Sequence, residues 1–134
     1  MKQTDNFKFD EANVMNELVY RNLSEDAKRQ ICAWKYGGEY DLYNLPAYEE
    51  MQVRQIGFMN PQREKNYYGF WDESILVGFV NILEEKEEIF IGIGVNPELQ
   101  GGNYEIYANR EKTAIDLCDY SIRNHICNGT SDVV

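Results

Sequence analysis

The spacing of apolar positions along this chain changes near its middle, from helical intervals before residue 66 to strict alternation after it. Leu18-Val19-Tyr20-Arg21 is the first strand-like piece, and the sixteen residues at the start are polar and lack a clear period. Ser24 then stands where a helix N-cap would, with Glu25 and Asp26 in the first turn, where the helix dipole favours acids. Ala27, Ile31 and Trp34 mark one helical face, and Gly37-Gly38 reads as the stop. A second helix is expected from Ala47 to Phe58, opening just after Pro46 and carrying Met51 and Ile56 on its apolar side.

From Asn66 onward the pattern is that of strands: NYYGFW, ILVGFVNIL and EEIFIGIGV. The charged turns Asp72-Glu73-Ser74 and Glu84-Glu85-Lys86 separate them. Connections this short favour hairpins over parallel crossovers, which predicts an antiparallel meander. After Asn96-Pro97 and Gln100-Gly101-Gly102, the residues Tyr104, Tyr107, Ala108, Ile115, Cys118 and Ile122 recur at helical spacing. The expected strands are therefore 18–22, 66–71, 75–83 and 87–96, and the expected helices 24–35, 47–58 and 104–123. Together they predict one domain over 1–134, of α/β (α+β) class with a mainly antiparallel central sheet.

Composition narrows the possible partners. With 134 residues, 43% of them hydrophobic and 27% charged, the chain is an ordinary globular domain with one core. A net charge of −10 leaves no excess of cations to displace counterions from phosphate backbones, so nucleic acid is not an expected partner. No apolar run reaches the roughly 20 residues of a membrane helix, and the start resembles no signal peptide. A cytoplasmic location without membrane attachment is the expectation. Cys32, Cys118 and Cys127 lack metal-type spacing and read as reduced thiols, the first two on helix core faces. His125 stands alone as a surface or helix-end histidine, so no metal site is expected. Asn128-Gly129-Thr130 matches a glycosylation acceptor, which carries no weight without a secretory signal.

The most informative stretch is Glu88 to Glu105. Side chains alternate along a strand, so Ile89, Ile91, Ile93 and Val95 share one face while Phe90, Gly92 and Gly94 share the other. Two glycines on one strand face mark a place where another segment or a ligand lies close to the backbone. A strand, a glycine-bearing loop and a helix N-terminus in succession form an arrangement suited to phosphate, since free N–H groups and the helix dipole converge there. Neither the P-loop nor the dinucleotide glycine spacing is present.

On these residues, and above all on IGIGVNPELQGG, the chain resembles the GNAT acyltransferases, which move an acetyl or related group from acetyl coenzyme A to an amine. The resemblance runs from Leu18 to about Ile122. It implies that backbone groups near Ile93 and Val95 hold the pantetheine arm, and that Gln100, Gly101, Gly102, Asn103 and Tyr104 take the pyrophosphate. The implied cosubstrate is acetyl-CoA, without a metal, and the implied acceptor is a small-molecule or peptide amine. Two positions depart from the family loop, Asn103 and Glu105 standing where it has glycine or alanine. The segment 124–134 also carries no strand-length apolar run, where the family continues into a fifth strand and further elements.

Alternatives stand beside each of these readings. The Gly92/Gly94 face is either a coenzyme A groove or a strand covered by its own chain. Glu88, on that face, is the candidate general base, although the run Glu84, Glu85, Glu87 and Glu88 is also what a solvated hairpin looks like. Trp34, Tyr36, Tyr40, Tyr43 and Tyr48 either pack a thin core edge or receive a cation on their rings. The function is thus an N-acetyltransferase or, with Asn103 and Glu105 in mind, a catalytically inactive binding protein of the same fold. An apolar last strand with no successor has unpaired N–H and C=O groups, which predicts a homodimer or an exchange of C-terminal segments over it; otherwise Asn124 to Val134 folds back across it.

Overall fold

The computed structural model describes residues 6–11, 14–99 and 102–127, with side-chain surroundings for 17–99 and 104–125. Its sheet has five antiparallel strands in chain order: β1 (Asn6–Glu11), β2 (Val14–Asn22), β3 (Tyr67–Asp72), β4 (Ile75–Glu85) and β5 (Glu88–Val95). Three α-helices accompany it, α1 (Glu25–Ala33), α2 (Tyr48–Arg54) and α3 (Arg110–Cys127). The expected meander of β3, β4 and β5 is present, and the α+β class with it.

Each face of the sheet carries its own core. On one side Leu18, Tyr20, Phe70, Val80 and Ile82 pack with Leu117 of α3 and Tyr107 before it. On the other, Leu23, Ala27, Ile31, Met51 and Trp71 form the floor under α1 and α2. Alternation along β4 feeds both layers, Val80 facing α3 while Phe79 joins the α1 side. A bulge in the β3–β4 ladder between Phe70 and Trp71 makes Val77 the extra residue, so that Val77 and Gly78 both face the α3 side and Leu76 the other.

Several boundaries differ from the sequence reading. The chain start, expected to lack regular structure, supplies β1, and β2 begins at Val14 instead of 18, the two pairing from Asn6 with Val19 to Glu11 with Val14. The Ser24 cap holds as expected, its hydroxyl accepting from the Ala27 N–H at 3.1 Å. However, α1 ends at Ala33, before the glycines, because Trp34 turns extended and buries its ring. The second helix stops at Arg54, where Gln55 takes a left-handed φ of 55°, and 3₁₀ turns fill 57–59 and 64–66. The last helix starts at Arg110 and not at 104, since Gly102–Tyr107 form a 3₁₀ segment and Asn109 caps the helix by accepting from the Lys112 N–H. It continues to Cys127, so Asn124 is helical and not part of a returning tail. Cys32 is buried and Cys118 partly so, and burial pushes both thiols upward, away from reactivity.

Lys28 is 2% exposed, and its ammonium donates to Glu64 at 2.6 Å and Glu25 at 3.0 Å. Burial alone would lower its pKa, but the two carboxylates outweigh that and raise it. The Tyr48 hydroxyl, donating to Glu25 at 2.6 Å, and then Lys28 hold the Glu25 carboxyl below the usual range. A depressed carboxylate stabilises above its unfolded pKa of about 4.3 and loses that contribution as pH falls through the folded value. A raised lysine stabilises below its unfolded value of about 10.4 and loses it as pH rises further. Thermal unfolding is therefore expected to be flat between these limits, and Glu25→Gln to soften the acid limb in melts recorded from pH 3 to 7.

Candidate functional site

The direction of the β5 backbone sets the site. The Asn96 N–H donates to the Val77 carbonyl at 2.9 Å, which continues the register pairing Gly94 with Phe79 and Gly92 with Asn81. In an antiparallel ladder both backbone groups of a residue point the same way and alternate along the strand. The even residues of β5 therefore face β4, and Ile89, Ile91, Ile93 and Val95 direct N–H and C=O outward. The Val95 carbonyl bears this out, since it accepts from the Tyr36 hydroxyl at 2.8 Å on the outer side. Among the described residues no further strand pairs with this edge, and no backbone bond reaches Ile89, Ile91 or Ile93 across it.

A cavity of about 750 Å³ lies along this strand, lined by Gly92, Ile93, Gly94 and Val95. Its first wall comes from the segment after α1. Asn44 clasps that segment, its Oδ1 accepting from the Tyr36 N–H at 2.6 Å and its Nδ2 donating to the Tyr36 carbonyl at 3.3 Å. The clasp brings Trp34, Tyr36, Tyr40 and Tyr43 to the opening, above Phe79 and Asn81 of β4. The opposite wall is Ala108 to Glu111 with Ala114, at the N-terminal end of α3. The Arg110 guanidinium reaches across to the rings of Tyr36 and Tyr40, 5.7 Å and 6.0 Å from their centroids.

Glycine is required on the floor for a steric reason at one position. A Cβ on Gly94 would sit 2.3 Å from the Phe79 ring, so Phe79 lies over the strand itself. At Gly92 a Cβ would meet only Asn81, at 3.9 Å, and its side opens into the cavity. The two glycines of this face thus differ, Gly94 being covered by the chain's own Phe79 and Gly92 left open to the cavity.

The phenols of Tyr36 and Tyr67 line the cavity, and burial pushes both pKa values upward, which keeps them protonated at neutral pH. Glu111 is the carboxylate on the wall. Glu88 is elsewhere, exposed at the β4–β5 turn opposite Glu85 and outside the cavity lining. Ile93 and Val95 lie where the sequence reading puts them. Gln100 and Gly101 fall outside the described residues, whereas Gly102, Asn103 and Tyr104 belong to the 3₁₀ segment, which comes before the helix start. Tyr48 is turned away, bonded to Glu25 under the Arg29 guanidinium. Sequence reasoning missed Arg110, Glu111 and Ala114; Asn109 as a helix cap was the available signal.

Among the described residues no group of three His, Cys, Asp or Glu side chains is placed to hold a metal, and no helix is long and apolar enough to cross a membrane. No protein-family model, curated protein or solved structure matches this chain.

Proposed function

We propose that the cavity binds the pantetheine arm of an acyl-coenzyme A and that the protein is an N-acyltransferase of the GNAT type, acting on an amine. The observation that carries this reading is the cavity along an unpaired strand edge. Pantetheine is an extended chain with two amides, and the outward N–H and C=O groups of Ile93 and the Val95 N–H suit it as a neighbouring strand would, the Val95 carbonyl being held by Tyr36. The N-terminal end of α3, with Arg110 beside it, supplies positive charge for a phosphate group at the mouth. The acidic surface suits a cationic acceptor.

In the reaction the amine nitrogen attacks the thioester carbonyl, the C–S bond breaks, the thiolate takes up a proton, and the amine gives one up. Glu111, the carboxylate in the cavity lining, would receive the amine proton, and Tyr36 or Tyr67 would be the neutral phenol that supplies the thiolate. This moves the base from Glu88, which stands at the far end of β5, to the cavity wall.

Isothermal titration with acetyl-CoA is the test. Binding is expected, and Arg110→Glu should weaken it about tenfold or more, since a charge-assisted bond to phosphate is worth about 1.5–3 kcal/mol. No heat at millimolar acetyl-CoA would remove the reading. The second reading, an inactive binding protein, draws support from the separation of Gly102–Tyr107 from the helix start. Under it, restoring glycine at 103 and 105 leaves coenzyme A affinity unchanged.

A further inference from the structure

The outer edge of β5 is complementary to itself. We propose that two copies of the chain pair antiparallel along β5 across a dyad at Gly92, so that each copy's Phe90 stands opposite the partner's Gly94, beside the Phe79 ring that covers that glycine. Two residues facing each other across such a dyad share a sheet face, which restricts the partners to residues of like parity. Centred on Gly92, the register sets Phe90 against Gly94, Ile91 against Ile93, Ile89 against Val95, whose carbonyl has a second lone pair beside the one taken by Tyr36, and Glu88 against Asn96.

Four observations favour this occupant. Ile91 and Ile93 already direct their backbone groups outward, so they form the hydrogen-bonded pairs without disturbing the β4 ladder. Gly92 meets Gly92 at the non-hydrogen-bonded position, where two Cα atoms approach to about 4.5 Å and the absence of side chains suits the contact. Phe90 is 49% exposed and Ile89 37%, apolar area that the pairing covers. No carboxylate faces another, and the neighbouring register centred on Ile91 is disfavoured because it would seat Glu88 opposite Gly94 in the aromatic slot. The −10 charge on each copy opposes approach, so added salt strengthens the pairing.

The experiment uses the full chain with Gly92→Cys. Oxidation should give a reducible covalent dimer well above the level seen with the native sequence or with Val53→Cys, a position 83% exposed on α2. Light scattering at high micromolar concentration in 0.15 M salt should give twice the chain mass for the native protein and the chain mass for Phe90→Lys, which should still unfold cooperatively because that side chain is half exposed, its melting temperature lower only by what pairing adds to the native chain. A native mass of one chain, or cross-linking of Gly92→Cys no better than Val53→Cys, overturns the proposal. Both readouts are independent of acetyl-CoA binding.

Discussion

Gly78→Val is expected to leave little folded protein, and Gly78→Ala to lower stability by about 1–3 kcal/mol or more in urea unfolding. A Cβ at this position would stand 2.6 Å from the Gly94 carbonyl oxygen and 2.9 Å from Leu117 Cδ1. The first of these is backbone in the adjoining strand and the second belongs to a fully buried side chain, so neither can move aside cheaply. Against a total of about 5–15 kcal/mol such a loss is large. Gly92→Ala is the matched control on the same pair of strands. Its Cβ meets only one atom at ordinary distance within the chain, and at concentrations too low for pairing relief of a strand glycine should raise stability by about 0.5–1 kcal/mol. If both substitutions cost the same, close approach at Gly78 is not what holds α3 to the sheet.

Acetyl-CoA and self-pairing are expected to exclude one another, because the Ile93 backbone groups that would meet the pantetheine arm are the ones a second β5 uses. By linkage each lowers the apparent affinity of the other by the same factor. At a hundred times its dissociation constant, acetyl-CoA stabilises the open single chain by about 2.7 kcal/mol, roughly a hundredfold shift for each copy. Added before oxidant, it should therefore suppress the Gly92→Cys cross-link. Phe90→Lys, with no pairing to undo, should bind acetyl-CoA more tightly than the native protein at equal concentration. Cross-linking that persists under saturating acetyl-CoA would place the two events on different parts of the edge.

The three strands after residue 66 were legible because alternation and two charged turns agree with each other, and nothing in the tertiary structure opposes them. β1 was not. Phe7 and Phe9 alternate with polar residues, but two apolar positions are too few to stand out, and pairing with β2 is what makes the segment a strand. At the second helix a run read as continuous breaks at Gln55, whose left-handed backbone precedes Gly57 at φ 59°; that glycine was the visible stop signal. The glycine face of β5 was legible as a place of close approach, which the structure shows at Gly94 under the Phe79 ring and not at Gly92. What period could not convey is which parts of the chain come to face that strand. Asn44 folds the tyrosines over it and Asn109 starts α3 beside it, and both depend on side-chain hydrogen bonds between particular atoms.

The order of strands in the sheet is the order of strands in the chain. Each strand after the first thus lies beside its predecessor in the chain, and three of the four pairings join strands separated by only two residues. Only β2 with β3 must wait for an intervening stretch, the one that carries α1 and α2. Contacts so close in sequence favour rapid folding, with closure of that single long loop as the slow event. In such an order the far edge of every strand from β1 to β4 is taken by its successor, so the outward groups of β5 stand where a further strand would be added.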